Sequence, residues 1–191
     1  MQLKRLVVLI GFISILTLLT ACSSKPSVEL VNTSVDIIND KDKLGAIGIT
    51  EGDKKGQELV PTALYYEFTI KNTGNKKIGD TGDKGLEIKI EPNDNLVVSS
   101  KEIIGFNIFN LSEYDESGLG YGYTFASILE PDQEGKYTLH FNLGVSEENP
   151  QVPFLVPSKE QLKKLNDDAL DATLIVLLED KEIARFDLRN K

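Results

Sequence analysis

The chain has 191 residues, of which 40% are hydrophobic and 27% charged, and its formal net charge at pH 7 is −9. So acidic a chain is repelled by nucleic acid, whose recognition needs clustered Lys and Arg, and by anionic lipid surfaces. With one His, one Cys and one Met, it lacks the ligands for copper, haem or zinc centres, which leaves oxygen-coordinated calcium as the one metal class still open.

The first 21 residues have the pattern of an export signal. Lys4 and Arg5 provide a basic start, and an apolar stretch runs from residue 6 to residue 19. That stretch is shorter than the roughly 20 apolar residues that span a bilayer, and it suits the apolar core of a signal peptide. Removing residues 1–21 lowers the count of Lys and Arg from 21 to 19 and leaves all 30 acidic residues, so the formal charge of the mature chain is −11.

The next motif, Leu19-Thr20-Ala21-Cys22, resembles the lipobox of bacterial lipoproteins. The resemblance implies cleavage before Cys22, whose thiol receives diacylglycerol. Residues 22–27 would then form a lipidated tether, anchored to the cell membrane on its extracytoplasmic side. Because Cys22 is the only cysteine, no disulfide can form within the chain.

Residues 28–191 are predicted to form a single domain built mainly of β-strands. Three segments alternate apolar and polar side chains with a period of two, which is typical of half-buried strands. They span residues 64–71, 86–91 and 136–143. Weaker strand patterns span residues 28–31, 35–38, 46–50, 96–99, 103–111 and 123–128.

One helix is predicted near the C-terminus. Ser158 and Gln161 have the spacing of a capping box, and apolar residues follow at helical spacing. A hairpin is predicted after it, with strands over 173–178 and 183–188 around a turn at 179–181. Many short strands and one short helix before a C-terminal hairpin favour an all-β, antiparallel β-sandwich.

A ten-residue run supports that fold by resemblance. Tyr66-Glu67-Phe68-Thr69-Ile70-Lys71-Asn72-Thr73-Gly74-Asn75 is similar to a strand and turn of immunoglobulin-like domains in small Gram-positive lipoproteins. The resemblance implies an immunoglobulin-like β-sandwich, and the families that carry it are mostly of unassigned function. The chain departs from antibody-type domains, since it has no Trp and no core disulfide pair.

The most unusual segment is 113–123, where Tyr114, Tyr121 and Tyr123 lie among glycines. Tyrosine offers a broad contact area with a polar tip, and glycine lets a partner approach the backbone. The segment is either a recognition loop for an envelope protein or neutral glycan, or a structural connection whose tyrosines close the edge of the sandwich. Acidic flanking residues favour a neutral or basic partner.

Two other sites are weaker candidates. Asp80, Asp83 and Glu87 could provide oxygen ligands for calcium, although Lys84 lies among them and a solvated hairpin turn explains the segment as well. His140 is the only imidazole, and the alternation of its strand predicts a solvent-facing structural role.

These patterns favour a non-enzymatic binding or interaction module of the cell envelope, because the sequence has no catalytic motif. Two alternatives stay open. The first is a small envelope hydrolase that uses a carboxylate pair. The second is an accessory solute-binding component of a transporter.

Overall fold

The computed structural model describes residues 26–80 and 85–189, in which the chain is mainly β and its sheets are antiparallel. The strands are β1 (Val28–Ile38), β2 (Ile47–Gly48), β3 (Glu58–Leu59), β4 (Thr62–Asn72), β5 (Ile78–Gly79), β6 (Leu86–Pro92), β7 (Tyr121–Thr124), β8 (Ile128–Leu129), β9 (Glu134–Gly144), β10 (Ala172–Leu178) and β11 (Lys181–Asp187). The helices are α1 (Lys41–Leu44), α2 (Asp94–Ile104), α3 (Leu111–Glu116) and α4 (Lys159–Asp168). The signal sequence, the lipobox with Cys22, and Asp83 lie outside the described residues.

The longer strands form two sheets. Four strands pair in the order β1-β4-β9-β7, and three pair in the order β11-β10-β6. Two short ladders, β2-β3 and β5-β8, account for the other strands. Each of these pairings is antiparallel.

Strand β4 lies within the larger sheet, between β1 and β9. The alternation predicted for residues 64–71 is confirmed, because four side chains on one face are buried: Leu64, Tyr66, Phe68 and Ile70. The matching face of β9 is buried too, through Tyr137, Leu139, Phe141 and Leu143. One face of the four-stranded sheet therefore packs towards the interior.

Both sheets contribute to one apolar core. Leu86 of β6 and Leu174 of β10 belong to the same cluster of buried residues as Phe68 of β4. The Tyr66 hydroxyl donates a hydrogen bond of 2.9 Å to the backbone carbonyl of Ala169, just after α4. This bond satisfies the one polar atom that Tyr66 brings into the core.

The turn after β4 is held by the buried amide of Asn72. Its Nδ2 donates to the carbonyls of Lys76 and Leu129 at 2.8 and 2.9 Å, and its Oδ1 accepts from the Gly74 N–H at 2.9 Å. Both N–H groups of this amide, and its oxygen, are thus hydrogen-bonded within the fold. This part of the run that resembles immunoglobulin-like domains has a structural role.

The predicted C-terminal helix is confirmed, but three further helices were not predicted. Helix α4 begins with the predicted capping box, in which Ser158 and Gln161 each bond to the other's backbone. The prediction of strands over 96–99 and 103–111 is wrong, because α2 occupies the first segment and the start of the second, and α3 begins at Leu111. With α1 also helical, the described chain has four helices rather than the one expected.

The weaker strand predictions are partly confirmed. Residues 28–31 and 35–38 belong to one strand, β1, whose pairing shifts register between Leu30 and Asn32. Only Ile47 and Gly48 of segment 46–50 are in a strand, and segment 123–128 is divided between β7 and β8. The C-terminal hairpin is confirmed, with its turn at Glu179 and Asp180, whose φ angles are 50° and 61°.

The two edges of the sandwich differ in how they are covered. At one edge, β1 lies against β11 and α4. At the other edge, β7 and β6 are the terminal strands of their sheets, and across the described residues neither pairs with another strand on its outer side. The candidate site lies between these two terminal strands.

Candidate functional site

An apolar groove of about 410 Å³ opens between β6 and β7. This volume is within the range of small-molecule and cofactor sites, roughly 300–1,000 Å³. One wall is the edge of β6, and the other wall and floor come from β7, β9 and the segment around α3. The lining residues are Gly85, Leu86, Glu87, Ile88, Lys89, Ile90, Phe109, Leu111, Tyr121, Tyr123, Thr124, Phe125, Leu139 and Phe141.

Strand register explains why the tyrosines of β7 face the groove. Tyr121 pairs with Phe141 and Tyr123 pairs with Leu139, so both tyrosines lie on the apolar face of the larger sheet. Because β7 is the terminal strand, nothing in the smaller sheet covers them fully, and they are 40% and 61% exposed. The same alternation continues to Phe125, whose ring lies 6.0 Å from that of Tyr123.

The groove concentrates the exposed apolar surface of the molecule. Seven large hydrophobic side chains are exposed in the described part of the chain, and four of them line this groove: Leu111, Tyr121, Tyr123 and Phe125. The other three are Val31, Val98 and Leu155. Scattered exposed apolar residues need no explanation, whereas apolar side chains grouped in one groove make that groove the candidate binding site.

The structure separates the three candidate tyrosines. Tyr114 is in α3 and is fully buried, so it cannot meet a partner, and the prediction that it lies in a loop with the other two is wrong. Its hydroxyl lies within hydrogen-bond distance of the carbonyls of Gly120 and Asn142, at 2.8 and 2.9 Å. Burial raises the pKa of Tyr114 well above its usual range.

Tyr114 supports the groove from behind. Its ring packs edge-on against those of Tyr121 and Phe141, with centroids 6.0 and 5.8 Å apart. Since Tyr121 and Phe141 both line the groove, Tyr114 fixes the position of the floor without being part of its surface.

Gly85 allows the groove to close at its Phe125 end. A Cβ on Gly85 would lie 3.2 Å from Cε2 of Phe125 and 3.4 Å from the Ser127 backbone. The contact with Phe125 is tighter than ordinary packing, so a side chain at position 85 would require the Phe125 ring to shift by a few tenths of an ångström.

Charge is confined to the rim. Glu87 and Lys89 alternate with the inward-facing Leu86, Ile88 and Ile90 along β6, and both are exposed. The groove therefore offers an apolar interior beside one acidic and one basic side chain.

The calcium candidate is not assembled by the described residues. Asp80 and Glu87 are described, whereas Asp83 is not. Across residues 26–80 and 85–189, no three His, Cys, Asp or Glu side chains are grouped to hold a metal ion. Glu87 instead lines the groove.

His140 is half-buried rather than solvent-facing. Its ring stacks with that of Tyr65 at 6.0 Å, and it passes beneath β7 at Gly122, where a Cβ would lie 2.5 Å from the imidazole Cε1. Burial lowers the pKa of His140. His140 pairs with Gly122, between Tyr121 and Tyr123 in the register, and so lies on the opposite face of the sheet from the groove.

The buried carboxylate among the described residues is Asp171. Its Oδ1 accepts a hydrogen bond of 2.8 Å from the Asn93 side chain, and its Oδ2 lies 3.0 Å from Nη2 of Arg189. The Asn93 backbone N–H also donates to the Asp171 carbonyl at 2.9 Å. These contacts hold the end of β6 to the start of β10, which is a structural role.

Three of the candidate residues named from the sequence line the groove: Tyr121, Tyr123 and Glu87, the last of which was expected as a calcium ligand. The other lining residues were not expected to form a site. A signal for Phe125 was present, because residues 121, 123 and 125 alternate with smaller side chains. No local pattern linked them to β6, which is about 30 residues earlier in the chain.

None of the helices in the described ranges has the length and apolar character needed to cross a membrane. No protein-family model, curated protein or solved structure matches the chain.

Proposed function

We propose that this chain is a membrane-anchored lipoprotein of the cell envelope, whose immunoglobulin-like domain is a non-enzymatic module that binds a partner in the groove between β6 and β7. The observation that carries the binding proposal is the collection of four of the seven exposed large hydrophobic side chains in that one groove.

The anchor is supported by the sequence alone. A basic start, a short apolar core and small residues before Cys22 match the pattern of a lipoprotein signal. Lipid on Cys22 would hold the acidic domain beside the membrane, on the extracytoplasmic side.

Labelling cells with a radioactive fatty acid tests the anchor. The wild-type protein is expected to carry the label, and the Cys22→Ala variant is expected to remain an unlabelled precursor. A wild-type protein without label would contradict the lipoprotein proposal.

Strand order supports the immunoglobulin-like architecture. The seven longest strands, taken in chain order, are β1, β4, β6, β7, β9, β10 and β11. Lettered A to G, they pair as A-B-E-D in one sheet and G-F-C in the other. Constant-type immunoglobulin sandwiches divide seven strands between two sheets in the same way, which supports the proposed architecture. An apolar core takes the place of the missing Trp and disulfide.

Photo-cross-linking in the native membrane tests the groove as the binding site. A photoreactive phenylalanine analogue replaces Tyr123 in the full-length protein, and a matched variant carries it at Val98, which is similarly exposed but lies on α2. We expect a discrete adduct from position 123 that position 98 does not give. Equal adducts from both positions, or none from 123, would contradict the proposal.

A further inference from the structure

We infer that the partner enters the groove as an extended strand that pairs antiparallel with the outer edge of β6. This inference rests on the proposed function, and it specifies the kind of partner. Its first support is topological, because β6 pairs with β10 on one side and, over residues 26–80 and 85–189, with no strand on the other. A terminal strand offers a row of backbone donors and acceptors to an added strand.

The phase of the β6–β10 ladder shows which backbone groups face the groove. The Asn93 N–H donates to the Asp171 carbonyl, so these two residues form a hydrogen-bonded pair. By the strand register, the odd-numbered residues of β6 are therefore the ones whose backbone groups bond to β10. Antiparallel ladders alternate, so the N–H and C=O groups of Leu86, Ile88 and Ile90 point away from β10. All three residues line the groove.

Pro92 ends this row of exposed groups. By the strand register, the backbone of Pro92 faces away from β10, as do those of Leu86, Ile88 and Ile90. Proline has no N–H to donate to an added strand. Strand pairing along this edge is therefore limited to the part of β6 that the groove exposes, which favours a short added strand.

The groove supplies a surface for the side chains of the added strand. Alternate side chains would point towards Tyr121, Tyr123 and Phe141, which favours apolar, β-branched residues at those positions. Binding would thus combine backbone hydrogen bonds with burial of the exposed apolar patch.

The charged side chains at the rim of the groove determine which polar residues the added strand should carry. Glu87 and Lys89 lie on the outer face of β6, where Glu91 already contacts Arg185 at 3.0 Å. Because like charges directly opposite each other destabilise a sheet, an antiparallel partner should place an acid opposite Lys89 and a base opposite Glu87. The partner is thus a segment that reads apolar–acidic–apolar–basic–apolar from its N-terminus.

A separate strand fits this edge better than a second copy of the chain. The larger sheet has four strands and the smaller three, and β1 lies beside β11 at the far edge. Strand β7 therefore extends past β6. If two copies paired through β6, the β7 strands of both would meet across the two-fold axis, whereas a single strand fills the space beneath β7.

The test uses the fluorescent peptide Thr-Val-Glu-Val-Lys-Val-Thr and the full-length protein in phosphatidylcholine vesicles, with protein-free vesicles as the blank. Two N-methylated versions provide matched probes of strand pairing. Methylation of the central Val, opposite Ile88, blocks an N–H that points at β6, and methylation of the Glu, opposite Lys89, alters an N–H that points away. We expect the first to weaken binding about tenfold or more and the second about twofold or less, since only the first loses a hydrogen bond.

A charge exchange tests the register. The peptide with Glu and Lys interchanged should bind the wild-type protein more weakly. The double variant Glu87→Lys with Lys89→Glu should reverse that preference. Loss of folding cannot mimic a reversal, because an unfolded variant would bind neither peptide.

Several outcomes would overturn strand addition: no peptide binding, equal effects of the two methylations, a preference that the double variant does not reverse, or dimerisation of the protein in place of peptide binding. Cross-linking from position 123 could still succeed in each of these cases, because it requires only that some partner occupy the groove. The failure of this inference is therefore distinguishable from the failure of the proposed function.

Discussion

Tyr114 and Tyr123 lie nine positions apart and have opposite environments. Tyr114 is fully buried, with its hydroxyl between two carbonyls, whereas Tyr123 is 61% exposed at the mouth of the groove. The sequence predicts the same role for both, because both lie in one segment rich in glycine and acidic residues. What separates them is the helix α3, which turns Tyr114 into the core.

Replacing Tyr114 by Phe should therefore destabilise the fold. The change leaves the ring in place and removes the hydroxyl that contacts the carbonyls of Gly120 and Asn142. The bond to Asn142 is buried, and leaving that carbonyl without its donor costs about 1–3 kcal/mol. Tyr123→Phe is the matched control, and it should change the free energy of unfolding by no more than about 0.5 kcal/mol. Chemical denaturation of both variants measures the difference, and equal stabilities would contradict the structural role of Tyr114.

His140 should make stability depend on pH. Burial lowers its pKa in the folded state below the value of about 6.5 for an unfolded His, so folding favours the neutral ring. This stabilisation is complete above about pH 6.5 and is lost as the pH falls through the lower, folded-state pKa.

The free energy of unfolding should fall less steeply from about pH 7.5 to pH 5.5 in His140→Gln than in the wild type. Denaturation curves across that interval measure the slope. Parallel slopes would show that His140 has the same pKa in both states.

At the scale of elements, strands with clear alternation could be predicted and α2 could not. Strand β4 buries alternate residues, so its period of two is visible in the sequence. Helix α2 instead contains Val97, Val98 and two serines, residues of modest helix propensity. Its serines are buried through tertiary contacts: Ser99 bonds to Asp168 of α4, and Ser100 bonds to the backbone at Phe106 and Ile108. Ser99 and Asp168 are 69 residues apart, and a contact at that separation leaves no local signal in the sequence.

The buried face of β4 makes a quantitative prediction. Phe68→Ala should cost about 3–5 kcal/mol, because the Phe68 side chain is buried in the core shared by both sheets. Glu67→Ala, next to it on the exposed face, removes only a 3.7 Å contact with Lys43 and should cost less than about 1 kcal/mol. Similar denaturation midpoints for the two variants would mean that the face assignment is wrong.

At the scale of the whole molecule, the groove depends on which sheet edges meet. Its walls come from residues 85–90 and from side chains of β7, β9 and the segment around the start of α3, and only the pairing of the strands brings them together. A sequence pattern could predict that residues 121 and 123 share a face, but not that β6 would lie across from them. The functional surface is a property of the topology.

The central claim is that the groove binds the partner. The measurement that tests it most directly compares partner affinity with thermal stability in a groove variant and a control variant. Tyr121→Ser with Tyr123→Ser removes two exposed rings from the groove and keeps the buried Tyr114, and Val31→Ser with Val98→Ser removes two exposed apolar side chains elsewhere. The affinity of each for the partner captured by cross-linking is measured alongside the melting temperature.

We predict that the groove variant melts only slightly below the wild type, since each exposed substitution changes stability by about 0.5 kcal/mol or less, or about 1 kcal/mol for the two. It should lose about 2 kcal/mol or more of binding free energy, roughly a 30-fold rise in Kd, while the control keeps the wild-type affinity. A groove variant that binds the partner as tightly as the wild type would contradict the claim that this groove is the binding site.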